Sequence, residues 1–400
     1  MYLCKNFRNL NSIHKLIMVF SIKPLQLVFL AFLACFPLVG FANNDTLVQS
    51  TTTEVQVVEQ SEATTLEKVE KKFNPTDLIN GHIGDSHEFH IMDLGGHAIS
   101  FYLPVILWTD NGLVTFSSEQ FHHDNSGEHV VKQGGQEFVR NNEIIFYKDK
   151  YDALTAKEKT EGAFNFDARP LNFSITKLVF SMFMSSIILL IIFLAVAKSY
   201  NKNKLAPKGL AGFLEPLIVF VRDDIARPNI GEKKYAKYMP YLLTVFFFIW
   251  INNLIGLIPF FPFSANLTGN IYFTFVLAFI TLLITTFSGN KSYWGHIFNT
   301  PGVPFWLAPI MIPVELIGML TKPFALMIRL FANITAGHII ILSLFSLIFI
   351  FETVAVSPIS GAFVLFMSVL ELLVAALQAY VFTLLSALFI GQAVEEHDHH

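Results

Sequence analysis

Arg329 is the residue whose chemistry constrains this 400-residue chain most strongly. It lies within an otherwise largely apolar stretch that runs from Pro301 to Phe351. An arginine at bilayer depth costs at least about 2.5 kcal/mol, and its guanidinium cannot discharge by losing a proton. About 20 uncharged positions separate Arg329 from Glu352, which disfavours the alternative of a side chain that snorkels to the headgroups. The sequence therefore predicts a charge that is used inside a membrane.

Further polar residues recur around Arg329 at helical spacing. Glu315 and Lys322 precede it at intervals of seven residues, which places the three within about 40° of one another around a helix axis. Asn333 follows Arg329 by four residues, so one face of this helix should carry a polar line. His338 comes nine residues after Arg329, on the opposite side of a straight helix, and should therefore face a neighbouring helix.

The last apolar segment carries a second polar pair. Glu371 and Gln378 are also seven residues apart, on one face of the final predicted helix. The two long helices should run antiparallel from a turn at residues 353–360, so counting back from that turn matches their depths. His338 and Glu371 then fall in the outer half of the membrane. Arg329 and Gln378 fall nearer the middle.

Glu315 should lie towards the cytoplasmic surface. A titratable pair on one side, a fixed cation at the centre and a carboxylate on the other side would form two separated polar paths. The central cation would be an electrostatic barrier between them. The pattern therefore predicts two offset half-channels for an ion.

Composition places the chain among membrane proteins. It is 53% hydrophobic and only 14% charged, with 42 phenylalanines, which is more apolar surface than a soluble protein can hide. Five segments are long and apolar enough to cross a bilayer, and one amphipathic segment should lie on its surface. The five spans are predicted at about 178–197, 241–259, 271–287, 304–351 and 361–394, and the surface helix at about 209–227. Nine basic residues between Lys198 and Lys237 predict that this loop and the C-terminus are cytoplasmic.

Residues 1–42 have the organisation of a signal peptide. Four basic residues precede the apolar run Leu27–Phe41, and Gly40-Phe41-Ala42 offers a cleavage site between small residues. Both cysteines, Cys4 and Cys35, fall in this removable part, so the mature chain should contain no disulfide.

A spacer and a small exported module should follow the signal. Residues 43–75 suit a flexible spacer, and 76–170 suit a β-rich extracytoplasmic module in which Asp110-Asn-Gly112 closes a hairpin. Seven of the 13 histidines fall between residues 82 and 129, and His87-x-x-His90 offers the start of a metal site. No cysteine accompanies them, and residues three apart on a strand point to opposite faces. Solvated or hydrogen-bonding histidines are therefore favoured, and neither a metal nor another cofactor is expected.

Three segments together resemble one known family. They are Lys322-Pro-Phe-Ala-Leu-Met-Ile-Arg-Leu-Phe-Ala-Asn333 with Ala336-Gly-His338, then Leu377-Gln-Ala-Tyr380, and Asn253-Leu-x-Gly256-Leu-x-Pro259 upstream. The chain resembles the a subunit of the membrane (Fo) sector of rotary F-type ATP synthases over about residues 173–396, within a membrane domain at 173–400. The resemblance does not extend to residues 43–170.

The resemblance implies roles for individual residues. Arg329 would face the ring of c subunits and interact with its ion-carrying carboxylate. The residues that line or support the outer half-channel would be Asn333, His338, Glu371 and Gln378, with Glu315 beside the inner one. In the best-known bacterial members the position of His338 is glutamate and that of Glu371 is histidine. The exchange found here occurs in mitochondrial members and keeps one carboxylate and one imidazole together.

The expected fold is therefore an all-α polytopic membrane protein with five transmembrane helices, including a long tilted C-terminal helix hairpin, plus the β-rich exported module. The resemblance implies a stator subunit of a proton channel in a bacterial inner membrane, coupled to ATP synthesis, with no catalytic site of its own. No Gly-rich phosphate loop of the Walker type occurs in the chain. The implied partners are the c-subunit ring, the b subunits of the peripheral stalk, the remaining F1Fo complex and the lipid bilayer, with no nucleic acid.

Two points follow, one about the transported ion and one about the alternative function. Proton is favoured over sodium because a His/Glu pair suits proton relay. The alternative function is an autonomous secondary transporter in which Arg329 binds an anionic substrate. Inverted repeats with helices interrupted in corresponding places would favour that alternative, and the sequence has none.

The signal peptide is directly testable. If cleavage follows Ala42, N-terminal sequencing of the purified protein should begin near Asn43, and external protease should digest residues 43–170. Recovery of Met1 at the N-terminus of the purified chain would instead indicate an additional anchoring helix and six crossings.

Overall fold

The computed structural model describes residues 84–94, 97–155, 158, 166–202, 209–258, 265–298, 307–351 and 357–395. The expected signal peptide, the spacer and the last five residues of the His-rich C-terminus lie outside these ranges. The described part begins with a β-rich module, and a bundle of apolar helices follows it.

Eight strands are present among the described residues of the module. They are β1 (Glu88–Leu94), β2 (His97–Tyr102), β3 (Pro104–Thr109), β4 (Gly112–Ser117), β5 (Val131–Gln133), β6 (Gln136–Asn141), β7 (Ile144–Tyr147) and β8 (Leu171–Asn172), with a short helix α1 (Lys148–Asp152). Strands β1 and β2 pair as an antiparallel hairpin, and the other six form two antiparallel sheets with the orders β4-β3-β8 and β5-β6-β7.

The predicted hairpin at Asp110-Asn-Gly112 is confirmed as the turn between β3 and β4. Gly112 has φ 111°, a conformation that a side chain would strain. Alternate residues of β3 are buried, which turns one face of the sheet inward. The two three-stranded sheets share one apolar core, composed of Val105, Leu107, Val114, Phe116, Phe121, Val131, Phe138, Ile145 and Tyr147.

A buried charge cluster lies beside this core. Arg140 is 1% exposed, and its guanidinium lies 3.5 Å from Glu88 Oε1 and 3.7 Å from Glu143 Oε2. The same Glu143 oxygen lies 3.0 Å from His87 Nδ1. His87 therefore pairs with a carboxylate, and no cluster of metal-ligating side chains occurs among the residues that the structure describes.

The charge cluster continues into the first long helix, α2 (Lys177–Lys202). The Asp85 carboxylate accepts a hydrogen bond from the backbone N–H of Leu178 at 3.1 Å, and the N–H of Lys177 donates to Ser86 O at 2.8 Å. Burial raises the pKa of Asp85, and the hydrogen bond from the Leu178 N–H partly opposes this rise. These contacts satisfy N–H groups that the start of a helix leaves without intrahelical partners. The module is therefore bonded directly to the start of α2.

The remaining described helices follow α2 in chain order. They are α3 (Leu210–Phe220), a π-helical segment (Val221–Ala226), α4 (Arg227–Ile230), α5 (Tyr235–Gly256), α6 (Ile271–Ser288), α7 (Lys291–Phe298), α8 (Ala308–Phe351) and α9 (Ser357–Val394). Five of these helices, namely α2, α5, α6, α8 and α9, are long and apolar enough to cross a membrane, as the sequence predicts.

Several helix boundaries differ from the sequence-based expectation. Helix α5 begins six residues before the predicted position 241 and contains Pro240, because a proline near a helix start removes few hydrogen bonds. Residues 357–360, expected in the turn, belong to α9, whose first turn contains Pro358 at a position where no intrahelical N–H bond is needed. Helix α7 was not predicted at all.

The surface helix expected at 209–227 extends from α3 through the π-helical segment to α4. Leu214, Val221 and Ile225 on its predicted apolar face are buried, whereas Leu210 is exposed. Near its end, the backbone of Asn229 approaches Gly391 of α9 so closely that a Cβ at residue 391 would overlap it. The surface helix therefore packs against the C-terminal end of α9.

Helix α5 forms the centre of the bundle, and α8 and α9 form its open side. Most of the apolar membrane-spanning stretch of α5 is buried inside the protein. The buried share of the corresponding stretch is 11% in α8 and 17% in α9. At 1.5 Å per residue the 44 residues of α8 extend about 66 Å, roughly twice the hydrocarbon thickness. Such a helix must tilt steeply or project from the bilayer.

The charge cluster yields a stability prediction. Glu143→Ala leaves buried His87 without its carboxylate and buried Arg140 with Glu88 alone, and breaking a buried pair of this kind costs up to about 3–5 kcal/mol. The module of the variant should therefore be cut faster by protease in reconstituted membranes. Lys132→Ala, which breaks the exposed pair with Glu137, is the control and should change nothing measurable.

The native chain should show a related pH dependence. Burial raises the pKa of Glu143, but the bond to His87 and the charge of Arg140 more than offset this, so the pKa is lowered. The contribution of Glu143 is therefore present above the ordinary glutamate pKa and is lost as the pH falls through the lowered value. Equal protease resistance of Glu143→Ala and the native chain would contradict the stabilising role.

Candidate functional site

Helices α8 and α9 lie side by side, and three polar pairs join them. In order along α8 the pairs are Lys322 Nζ to Gln392 Oε1 at 2.9 Å, Asn333 Nδ2 to Gln378 Oε1 at 3.0 Å, and His338 Nε2 to Glu371 Oε1 at 3.5 Å. The partners on α9 occur in the reverse order along the chain, as an antiparallel hairpin requires. The depths obtained by counting from the turn therefore agree with the observed pairing.

Glu371 is the most confined titratable group of the hairpin. Its side chain is 4% exposed, and His338 is 17% exposed. Among the described residues, no group donates a hydrogen bond to either carboxylate oxygen. The 3.5 Å contact with His338 is longer than an ordinary hydrogen bond but is within ion-pair distance when the imidazole is protonated. A buried carboxylate in this setting requires water or a proton of its own.

Gly337 is the reason that Glu371 can lie so close to α8. A Cβ added at Gly337 would come within 3.0 Å of Glu371 Oε1 and 3.2 Å of its Cδ. The absence of a side chain at this position therefore creates the space that the carboxylate occupies. On the other side, Gly256 at the end of α5 borders the His338 ring, with a Cβ there 3.7 Å from Nε2.

Arg329 lies on the opposite face of α8 and is exposed. No described residue accepts a hydrogen bond from its guanidinium or forms an ion pair with it. Buried Leu326, Leu330 and Ile334 fix the inward face of α8 against the bundle. Because the helix is held by that face, Arg329 is directed away from the rest of the chain.

The exposed surface around Arg329 is lined by small residues. Ala325, Ala332 and Ala336 are exposed within one or two turns of Arg329, and Asn333 is exposed beside them. These spacings place the alanines and Arg329 on one helical stripe. Small side chains leave room for another helix to approach the guanidinium closely.

Asn253 is a site residue whose contacts the sequence did not indicate. Its Nδ2 donates to the Ala375 carbonyl of α9 at 3.1 Å, and its Oδ1 accepts from Thr268 Oγ1 at 2.6 Å. Ala375 lies between Glu371 and Gln378, so this amide fixes the segment of α9 that carries both polar residues. The only sequence signal was Asn253-Leu-x-Gly256, recognised by resemblance and not by a predicted contact.

Glu315 lies apart from the outer polar pairs, at the other end of α8. It is partly buried and acts electrostatically on Tyr293 of α7. A cleft near this end is lined by Thr281, Leu282, Thr285, Tyr293, Met319, Lys322, Pro323 and Phe389. The structure thus brings His338, Glu371, Asn333 and Gln378 together and keeps Glu315 separate, with Arg329 on the outer face between these positions.

Comparison with known proteins matches this arrangement to one family. The family model described as "ATP synthase A chain" matches residues 179–391, which is more than half of the chain and includes Arg329, Glu315 and the His338–Glu371 and Asn333–Gln378 pairs. The chain belongs to this ATP synthase family. A second family model, described as a "Domain of unknown function (DUF8433)", matches residues 78–173. The membrane helices and the β-rich module thus match separate families.

Individual bacterial relatives agree with the family match. The chain is 50% identical over 233 residues to "ATP synthase subunit a" of Chloroherpeton thalassium, covering 56% of this chain and 68% of the relative. It is 50% identical over 235 residues to "ATP synthase subunit a 2" of Chlorobaculum tepidum, covering 57% and 65%. It is 45% identical over 236 residues to "ATP synthase subunit a" of Myxococcus xanthus, covering 58% and 76%. The predicted membership of the membrane sector is confirmed.

The position of Gly337 yields a prediction for the site. Gly337→Ala should force the Glu371 carboxylate away from α8 and lower proton translocation strongly, because the added Cβ would come within 3.0 Å of Oε1. ATP-driven acidification of inverted vesicles measures the effect. Gly318→Ala on the same helix is the matched control, because nothing lies within 4 Å of its added Cβ. Equal activity of the two variants would show that the close approach is unimportant.

Proposed function

We propose that this chain is the stator of the proton channel of an ATP synthase and that Arg329 separates its two half-channels. Family membership supports the stator role in an F1Fo complex with a c-subunit ring, and it gives no support to an autonomous transporter. The observation that carries the residue assignment is the exposed guanidinium of Arg329. It projects from a membrane helix and has no anionic partner among the described residues.

The missing anion is the ion-carrying carboxylate of the ring. An uncompensated arginine at bilayer depth is costly, so a membrane complex retains it only opposite a compensating charge. The exposed stripe of alanines lets a ring helix pack close to Arg329. Guanidinium presents a planar fork of donors, suited to a carboxylate that approaches and leaves sideways as the ring turns.

The outer half-channel leads through two of the polar pairs of the hairpin, His338–Glu371 and Asn333–Gln378. A proton from the external side reaches Glu371, whose buried oxygens accept no hydrogen bond from the described residues, and His338 shares the charge while the proton is in transit. The pair Asn333–Gln378 lies five residues from His338 towards the N-terminal end of α8, about 7.5 Å by helical rise. Its amides continue the path towards Arg329 and the ring carboxylate, which takes up the proton.

The inner half-channel begins near Glu315. This carboxylate lies 14 residues from Arg329, about 21 Å along the helix, on the same polar face. The cleft lined in part by Thr285, Tyr293 and Lys322 supplies polar groups at this end. A proton released by the ring on this side therefore leaves through a region separate from the outer polar pairs.

Arg329 makes the two paths alternate. A protonated ring carboxylate is neutral and rotates into lipid at low cost, whereas a charged one is held back by the cost of entering hydrocarbon. The fixed cation prevents protons from passing directly between the half-channels. Net proton flow therefore requires rotation, and ATP is formed on other subunits.

The orientation in the membrane follows from the basic loop. Nine basic residues between Lys198 and Lys237 favour a cytoplasmic position for the end of α2 and the surface helix. The β-rich module at the start of α2 is then extracytoplasmic, and five crossings bring the C-terminus to the cytoplasm of a bacterial inner membrane. The b subunits of the peripheral stalk would hold this stator against the rotating ring.

Arg329 variants test the assignment. Arg329→Ala should abolish proton-coupled ATP synthesis, because it removes both the partner of the ring carboxylate and the barrier between paths. Arg329→Lys should also fail, because lysine lacks the fork of donors and loses its proton more readily when desolvated. Arg222→Lys on the surface helix is a control for an arginine outside the site. ATP-driven proton pumping at the normal rate in either Arg329 variant would refute the proposal.

The His338–Glu371 pair should behave as one unit. His338→Ala and Glu371→Ala should each slow proton translocation markedly, while the exchange His338→Glu with Glu371→His should recover much of it. A double-mutant cycle on proton flux in inverted vesicles measures the coupling. Strictly additive losses without recovery in the exchanged protein would show that the residues act independently.

A further inference from the structure

The hairpin β1–β2 exposes three large apolar side chains. Ile91, Ile99 and Phe101 are 44%, 43% and 43% exposed. Ile99 and Phe101 are two residues apart on β2 and therefore lie on the same face of the hairpin. Ile91 lies on β1 at the irregularity between His90 and Met92. Exposed apolar surface of this kind is a common site of contact with lipid or another protein.

This face of the hairpin meets the first membrane helix. The rings of Phe89 and Phe101 lie 5.5 Å and 6.2 Å from the ring of Phe180, measured between centroids. Phe180 belongs to the first turn of α2, three residues after Lys177, or about 4.5 Å along the axis. The hairpin therefore lies at the level where α2 enters the apolar part of the membrane.

Phe180 is partly buried and begins a stripe on α2 whose later members are exposed. Ile187, Ile191 and Leu194 are 53%, 62% and 58% exposed and follow Phe180 at intervals of 7, 11 and 14 residues. At 100° per residue these positions lie within about 40° of Phe180 around the helix. The apolar face of the hairpin is therefore continuous with the side of α2 that the bundle leaves uncovered.

We propose that the β1–β2 hairpin is a monotopic membrane anchor whose Ile91, Ile99 and Phe101 enter the boundary between headgroups and acyl chains. The apolar face of the hairpin would contact lipid of the leaflet in which α2 begins, because this face continues the uncovered stripe of that membrane-spanning helix. Apolar side chains at such a surface insert about 5–10 Å. The hairpin and the Asp85 and Ser86 contacts would together fix the module at the membrane surface.

A second exposed apolar patch on the module provides an internal comparison. Trp108 is paired across the sheet with Leu113 and Leu171. The connection to α2 runs in the other direction along β3, where the N–H of Ile175 bonds to Pro104 O at 3.1 Å. Trp108 is four residues from Pro104, about 13 Å along the strand. This patch is therefore expected outside the bilayer.

The test measures where a fluorescent label lies in the membrane. Cys4 and Cys35 are replaced by serine, and Ile99→Cys, Leu113→Cys or Ile191→Cys is introduced singly and labelled with an environment-sensitive dye. The whole ATP synthase complex is reconstituted into vesicles of phosphatidylcholine that carries a nitroxide at acyl carbon 5 or carbon 12. Iodide is the quencher from water, and ATP-driven proton pumping confirms that each labelled complex is assembled.

The label at residue 99 should lose more fluorescence with the shallow nitroxide than with the deep one and should resist iodide. The label at residue 191 should respond most to the deep nitroxide, and the label at residue 113 mainly to iodide. If Ile99→Cys does not assemble, Ile91→Cys on the adjacent strand repeats the measurement. A residue-99 label quenched by iodide and not by either lipid would overturn the proposal, as would one shielded from all three quenchers by another subunit.

Discussion

A permanent positive charge without an anionic partner in its own chain is the constraint on which this structure depends. Within the described residues the guanidinium of Arg329 forms no ion pair, while the opposite face of α8 is packed into the bundle through Leu326, Leu330 and Ile334. The energetic cost of that charge in a membrane is therefore borne by the protein until a second component supplies a carboxylate. An interface that depends on an exchangeable charge is suited to a rotating partner, because each contact must form and break in turn.

In the proposed mechanism, the rest of the site lets protons reach this charge from two sides without bypassing it. Helix α5 is the rigid centre, and the Asn253 amide connects it to the segment of α9 between Glu371 and Gln378. Gly337 allows the Glu371 carboxylate to lie against α8. The polar pairs therefore lie between the two long helices, and Arg329 lies outside them. This arrangement would keep the proposed proton relay apart from the proposed contact with the ring.

The parts of this site that depend on local periodicity were predictable from sequence, and the parts that depend on distant contacts were not. The intervals of seven residues placed Arg329 on one face, and counting from the turn matched Glu371 with its partner helix, because both follow from regular helix geometry. The Asn253 contact joins residues 122 positions apart, which no periodic pattern encodes. Hydropathy also missed helix α7, which is too short and polar for a span, and began α5 late, because its first turn at Tyr235 precedes the apolar run.

The β-rich module shows the same division. Its β3–β4 hairpin followed from the turn residues, but the pairing of His87 with Glu143, 56 positions away, is visible only in three dimensions.

The central claim concerns the missing anion of Arg329, and the most direct measurement is a high-resolution structure of the whole ATP synthase complex in a lipid membrane. The account predicts that the nearest carboxylate to the guanidinium belongs to a ring subunit and lies within hydrogen-bond or one-water distance. A guanidinium paired with a carboxylate of this chain, or directed into lipid away from the ring, would contradict it.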